Sequence, residues 1–218
     1  MKTLRALLML ILVSVAARAA AASFEGKIEL LTTEGRKTFT TTYYYTADKM
    51  RIESSETAEA GAMIMDFTAK QMLMLMPSEK MYMVMNIAAQ MDQGAADSTP
   101  PVKSGRTETI LGYECHEYII TEKKTVTEYW AAKGLGVFRA MARGGPGGPP
   151  AGPSAWEAAA QSEGLFPLRT VERSLKGKEL SRTEATAIAP GNQPDSLFTP
   201  PKDFTRFEMP SFGKMFGN

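Results

Sequence analysis

Six methionines alternate across a gap of four residues: Met72, Met74 and Met76, then Met81, Met83 and Met85. Period-two spacing puts each trio on one face of an extended strand. The intervening Pro77-Ser78-Glu79-Lys80 has the length and chemistry of a hairpin loop. Closing that hairpin pairs Met76 with Met81, Met74 with Met83, and Met72 with Met85, so that six thioethers form one cross-strand patch. Met63 and Met65 extend the patch if the loop that follows them has matching parity. Leu73, Leu75, Tyr82 and Val84 point the other way, so the hairpin is apolar on both faces. Either both faces are covered, or one of them lines an apolar cavity.

Most of the chain around this hairpin also reads as strands. Candidates are 24–31, 37–46, 50–54, 62–66, 71–76, 81–87, 108–111, 114–122, 125–131, 136–140, 168–174 and 180–188. Short strands joined by hairpin-length loops predict an antiparallel sheet that curls or closes. Residues 92–105 are small, polar and proline-bearing and read as a surface loop. Residues 144–153 are all Gly or Pro except Ala151, which excludes helix and strand there. Ser154-Ala155-Trp156-Glu157 then carries a capping-box pattern, in which the Ser and Glu side chains satisfy each other's free amides. It predicts a short helix over 154–163, stopped by Gly164. That helix would carry Trp156 on a flexible tether, either as a lid over a cavity or as a surface insertion.

The first 22 residues have the layout of a signal peptide. Lys2 and Arg5 precede an uncharged run from Leu7 to Ala16, and two A-x-A sites follow, with cleavage expected near residues 19–22. The apolar run is shorter than the roughly 20 residues that span a bilayer. The expected product is one soluble domain over 23–204 with a loose tail at 205–218, and the short alanine-rich signal points to the bacterial periplasm or to secretion. Removing Lys2, Arg5 and Arg18 leaves 22 basic against 24 acidic residues, a net charge near −2, which gives no footing for nucleic acid. The lone Cys115 cannot make an internal disulfide, so the fold stands on its core, and a buried thiol is expected.

Catalytic signatures are missing. His116 is the single histidine and lies next to Cys115, so on a strand the two face opposite sides and cannot act as a nucleophile–base pair. No CxxC, G-x-S-x-G, P-loop or dinucleotide-binding glycine pattern occurs, and no cofactor and no enzyme activity are expected. The methionines stay open to three readings. Ordering a methionine costs up to about 1.5–2 kcal/mol of side-chain entropy against roughly 0.5–1 for leucine. A rigid core therefore favours leucine, whereas an adaptable apolar binding surface favours methionine. Plain core is the first reading and such a surface the second. The third is Cu(I) held by Met72, Met74, Met76, Met81, Met83 and Met85, since thioethers are ligands for that ion.

Several segments resemble domain-of-unknown-function family 4412, a group of secreted bacterial proteins. They are Leu111-Gly112-Tyr113-Glu114-Cys115-His116-Glu117-Tyr118, Glu128-Tyr129-Trp130, Leu135-Gly136, and the run from Met63 through Pro77 to Tyr82. The ending Leu197-Phe198-Thr199-Pro200-Pro201-Lys202-Asp203-Phe204 is similar to that of the family and of periplasmic lipoprotein carriers. The resemblance spans most of residues 24–204 and brings no catalytic residues. It implies a mainly β, lipoprotein-carrier-like fold: a half-open antiparallel barrel or curved sheet with short helices around an apolar cavity. Residues 144–153 stand as an insertion relative to it. The expected function is an envelope binding module for a lipid, an acyl chain or a lipidated protein. The alternatives are Cu(I) handling and a structural envelope protein without a ligand.

Overall fold

A computed structural model describes residues 24–56, 61–88, 100–136, 138–139 and 154–208. The signal peptide expected over residues 1–22, the Gly/Pro stretch 144–153 and residues 92–99 of the expected loop lie outside the described residues.

Among the described residues twelve strands form one open sheet: β1 (Gly26–Glu34), β2 (Lys37–Tyr45), β3 (Lys49–Ser54), β4 (Ala62–Asp66), β5 (Gln71–Met76), β6 (Met81–Asn86), β7 (Val102–Ile110), β8 (Tyr113–Thr121), β9 (Thr125–Lys133), β10 (Leu165–Ser174), β11 (Glu179–Pro190) and β12 (Thr205–Arg206). Their order across the sheet is β12-β6-β5-β4-β3-β2-β1-β11-β10-β9-β8-β7. Two antiparallel meanders, β1–β6 and β7–β11, join where β1 pairs with β11. Helix α1 (Ala155–Glu163) packs on this sheet. This is the mainly β architecture, a half-open curved antiparallel sheet with a short helix, that the resemblance to lipoprotein carriers implies.

Local chemistry sets the hairpins. The β7–β8 turn, Leu111-Gly112, has φ of 48° and 86°, the signature of a two-residue turn whose twist matches that of the strands. At Gly61, just before β4, a Cβ would stand 1.7 Å from the Leu75 carbonyl oxygen, so only glycine lets β4 enter beside β5. The capping box of α1 has both arms: the Glu157 amide donates to Ser154 Oγ at 3.2 Å and the Ser154 amide to Glu157 Oε2 at 3.0 Å. Gly164 closes the helix in the left-handed region.

The main core gathers Ile28, Tyr43, Tyr45, Met50, Ile52, Phe166 and Leu168 across the curved sheet. Because the sheet curls, Phe166 of β10 meets Tyr43 of β2 edge-on at 5.4 Å and Tyr45 at 6.3 Å, although two strands stand between β2 and β10. Cys115 is fully buried in the same core, as expected for a free thiol that packs like a small hydrophobe.

Three expectations need adjusting. Residues 102–105 are the first half of β7 rather than loop. As an edge strand nearly all exposed, β7 has no apolar alternation to betray it. Gly136, Phe138 and Arg139 lie outside any strand. Gly136, at φ 83°, brings its backbone against the Tyr45 ring, and Phe138 turns into the aromatic core instead of continuing a strand. Finally, Thr205 and Arg206, placed by the sequence in a loose tail, pair in parallel with Met81 and Tyr82.

The core makes the fold sensitive to alkali. Burial raises the Cys115 thiol from its ordinary 9.0 to about 11. Burial also lifts the Tyr43 hydroxyl, with the Glu157 charge adding to it. Burial lifts Tyr45 well above the usual range, and Tyr43 adds to that. Each group is neutral when folded and ionises earlier when unfolded. Its contribution is fully present below the unfolded value and is lost as pH rises through the folded one. Stability should therefore fall from pH 9 upward through Cys115 and more steeply above pH 10 through the tyrosines, as read by urea midpoints across that range. A Cys115→Ala, Tyr43→Phe variant should lose less over the same range; an equal loss would contradict this assignment.

Candidate functional site

The methionines lie in cross-strand rows. One row runs Tyr45–Met50–Met65–Met72–Met85 across β2 to β6. The next runs Tyr43–Ile52–Met63–Met74–Met83, and Met76 faces Met81 beside the Pro77–Lys80 loop. The pairing expected from the four-residue loop is the pairing formed, and Met63 and Met65 have the parity that extends it.

Burial changes along these rows. Met50, Met63, Met65 and Met72 are buried, all at 7% exposure or less. Met74, Met76, Met81, Met83 and Met85 are half-buried. The face thus passes from closed core under β3 and β4 to a partly accessible apolar surface on β5 and β6, next to the sheet edge. Among the described residues that edge is covered only by the short β12, which pairs with Met81 and Tyr82.

The back of the hairpin has its own cover. Ile64, Leu73, Leu75 and Tyr82 pack with Leu197, Phe198 and Phe204 of the C-terminal segment. A 3-10 turn, Asp195–Phe198, lies against β3, where Arg51 donates to the Leu197 carbonyl oxygen at 2.7 Å. Lys80 pairs with Asp203 at 3.1 Å, but both ends are more than half exposed and such pairs contribute little. On this back face Leu75 is buried, while Leu73, Tyr82 and Val84 are half-buried like the five methionines on the other side. Sequence reading placed Leu197 and Phe198 only in a family-like ending; their apolar pair followed by two prolines was the available signal.

Trp156 is not brought to the methionines. It is 2% exposed and stacks on Tyr129 at 4.1 Å with the rings 9° from parallel. Tyr118, Ala131 and Leu165 complete that cluster, while Trp130 and Ala132, their neighbours on β9, belong to the main core. The helix therefore packs on the face of β9 opposite to Trp130 and Ala132.

Two further features went unread in the sequence. Glu117 is fully buried; Ser104 donates to one of its carboxylate oxygens and Arg106 to the other at 2.9 Å, with the guanidinium over the Trp130 ring. The bulge around Gly105 lets edge strand β7 turn both side chains toward it. A shallow cavity of about 230 Å³ lies between Leu31, Ile110, Leu111, Arg169 and Glu184, away from the methionines. Arg169 bridges Glu108 and Glu184 there, so the charges close on one another.

Among the described residues no group of three or more His, Cys, Asp or Glu is placed to hold a metal. The donors that the methionine face offers a metal are thioether sulfurs, which suit soft ions. No described helix is long and apolar enough to cross a membrane.

The model of a family described as a domain of unknown function, DUF4412, matches residues 24–204. No curated protein matches the chain. An uncharacterized conserved protein from Thermus thermophilus superposes with a TM-score of 0.50 at 11% identity, over 84% of this chain and 90% of that one. PNGF-II superposes with a TM-score of 0.50 at 15% identity over 87% of this chain, which spans only 31% of PNGF-II. A putative outer membrane lipoprotein-sorting protein domain from Vibrio parahaemolyticus is matched at 9% identity and a TM-score of 0.30, over 79% of this chain and 87% of that one. At such identities the likeness is one of fold.

Proposed function

We propose a function from one premise: the chain belongs to the DUF4412 family, whose model covers β1 to β11. In this reading it is an exported, non-enzymatic binding module of the bacterial envelope, delivered by the signal-like residues 1–22. It takes an apolar ligand, whether an acyl chain, a lipid or the acyl group of a lipidated protein, on the face of Met74, Met76, Met81, Met83 and Met85.

The observation that carries the reading is the gradient of burial along rows of directly opposed methionines. Four anchor the face in the core, and five stand half-buried beside a thinly covered edge. Thioether chains are unbranched and polarizable, so they repack around ligands of different shape, at an entropy cost that a rigid core would avoid. Binding needs no bond chemistry. Each methylene moved from water onto the face contributes about 0.8 kcal/mol, so six contribute about 5 before the cost of association.

The register supports a second reading. Met74 stands directly opposite Met83, and Met76 opposite Met81. Opposed side chains have Cβ atoms about 5 Å apart, within reach of one shared Cu(I).

Native mass spectrometry separates the two. After mixing with bacterial lipid extract, the mature protein should gain the mass of a lipid, and Met→Leu changes across the face should leave that gain intact. A copper-sized increment from Cu(I), lost in the leucine variant, would favour the second reading. A bare polypeptide mass after both treatments would overturn both and leave the methionines as core.

A further inference from the structure

We infer that the methionine face is a site of oxidative modification, at which peroxide converts five thioethers to sulfoxides and so turns off apolar binding without unfolding the domain. The inference rests on the proposed binding reading and adds regulation of the same site.

Nine aligned methionines divide cleanly by access. Met50, Met63, Met65 and Met72 are buried, and an oxidant reaches their sulfurs only if the sheet opens. Met74, Met76, Met81, Met83 and Met85 are half-buried, so part of each side chain meets solvent, and peroxide with it, in the folded state. In each reaction a sulfur lone pair attacks the terminal oxygen of the peroxide. The O–O bond breaks, the oxygen stays on sulfur, and the other oxygen leaves as water after taking up a proton. Sulfur is oxidised by two electrons and the peroxide is reduced by two.

The product is a strong hydrogen-bond acceptor set among side chains with little to donate. The side chains opposed to the five positions on this face are Met63, Met72, the methionines themselves and, across from Met81 on β12, Thr205, the one hydroxyl among them. On Met74 and Met83 two S=O dipoles would stand side by side on neighbouring strands. In the free protein water satisfies the new oxygens. Under an acyl chain that water is displaced and the acceptors go unpaired, so the penalty falls on the bound state alone. The protected methionines keep the core apolar, which lets the modified domain remain folded. A leucine face of the same shape would bind but could not be switched.

The test uses the folded mature protein, hydrogen peroxide and the apolar fluorophore phenylnaphthylamine. Peptide mapping during the reaction should show sulfoxide at the five half-buried positions forming at least about tenfold faster than at the four buried ones. Fluorophore affinity should fall about a hundredfold once Met74 and Met83 both carry oxygen, with the far-ultraviolet circular dichroism unchanged. In a variant with all five changed (Met74→Leu, Met76→Leu, Met81→Leu, Met83→Leu, Met85→Leu), whatever fluorophore affinity the protein shows should be the same before and after peroxide. Equal oxidation rates at buried and half-buried methionines would overturn the inference, as would undiminished binding by the sulfoxide form. If neither the native nor the leucine protein binds the fluorophore, the binding reading itself fails and the switch with it, and the oxidation rates then report accessibility only.

Discussion

Phe166→Ala should destabilise the protein by about 3–5 kcal/mol, a large part of the roughly 5–15 typical of a whole domain. Phe166 is fully buried and, among the described residues, is the largest side chain to be so. Its ring meets Tyr43, Tyr45 and Phe138 in edge-to-face contacts at 5.4, 6.3 and 5.6 Å. It is the point at which the β7–β11 meander closes onto the β1–β6 meander across the curl of the sheet. Removing the ring loses its transfer free energy and leaves a cavity lined by two tyrosines fixed on β2 and by Phe138 outside the strands, which cannot collapse together. Urea titration should show a lower midpoint with little change in slope. A loss below about 1 kcal/mol would mean that the two halves hold their curvature without this contact.

The second large effect concerns binding. Met74→Asp combined with Met83→Asp should abolish uptake of acyl chains while the domain stays folded. The positions are directly opposed and half-buried, so both carboxylates have access to water in the free protein. Like charges facing each other across two strands cost only about 0.2–1 kcal/mol. Covering them with an acyl chain strips that water, at an effective cost of several kcal/mol per ion. Affinity should therefore fall more than about a thousandfold, a loss of roughly 4 kcal/mol or more. Met74→Leu with Met83→Leu keeps the surface apolar and should retain uptake. Unchanged uptake by the aspartate variant, measured by fluorophore displacement, would remove the ligand from this face.

The methionine pairing was legible because two local rules agree there. Alternation sets the faces, and a four-residue loop sets the register, so Met74 could only meet Met83. The helix was equally legible, since Ser154, Glu157 and Gly164 carry its start and stop within a short span. Contacts made by distant segments were not. Nothing local to Leu73 or Tyr82 says that Leu197 and Phe198 will cover them. Nor does the Trp156 helix state on which side of β9 it will pack; that depends on the curl of the whole sheet. The first half of strand β7 escaped notice, with only 108–111 expected as strand, because it is an edge with most of its side chains in water, and its bulge at Gly105 breaks what alternation it has. Buried Glu117 looks in the sequence like any other acid among many; only folding brings Ser104 and Arg106 to it.

The central claim is that the half-buried methionines are where an apolar ligand sits. Photo-crosslinking with a diazirine-bearing fatty acid, followed by peptide mapping, tests it most directly. The account predicts adducts concentrated on β5 and β6, between Gln71 and Asn86, and their disappearance when unlabelled fatty acid competes. Adducts concentrated instead around Leu31, Leu111 and Arg169, or scattered without competition, would contradict it.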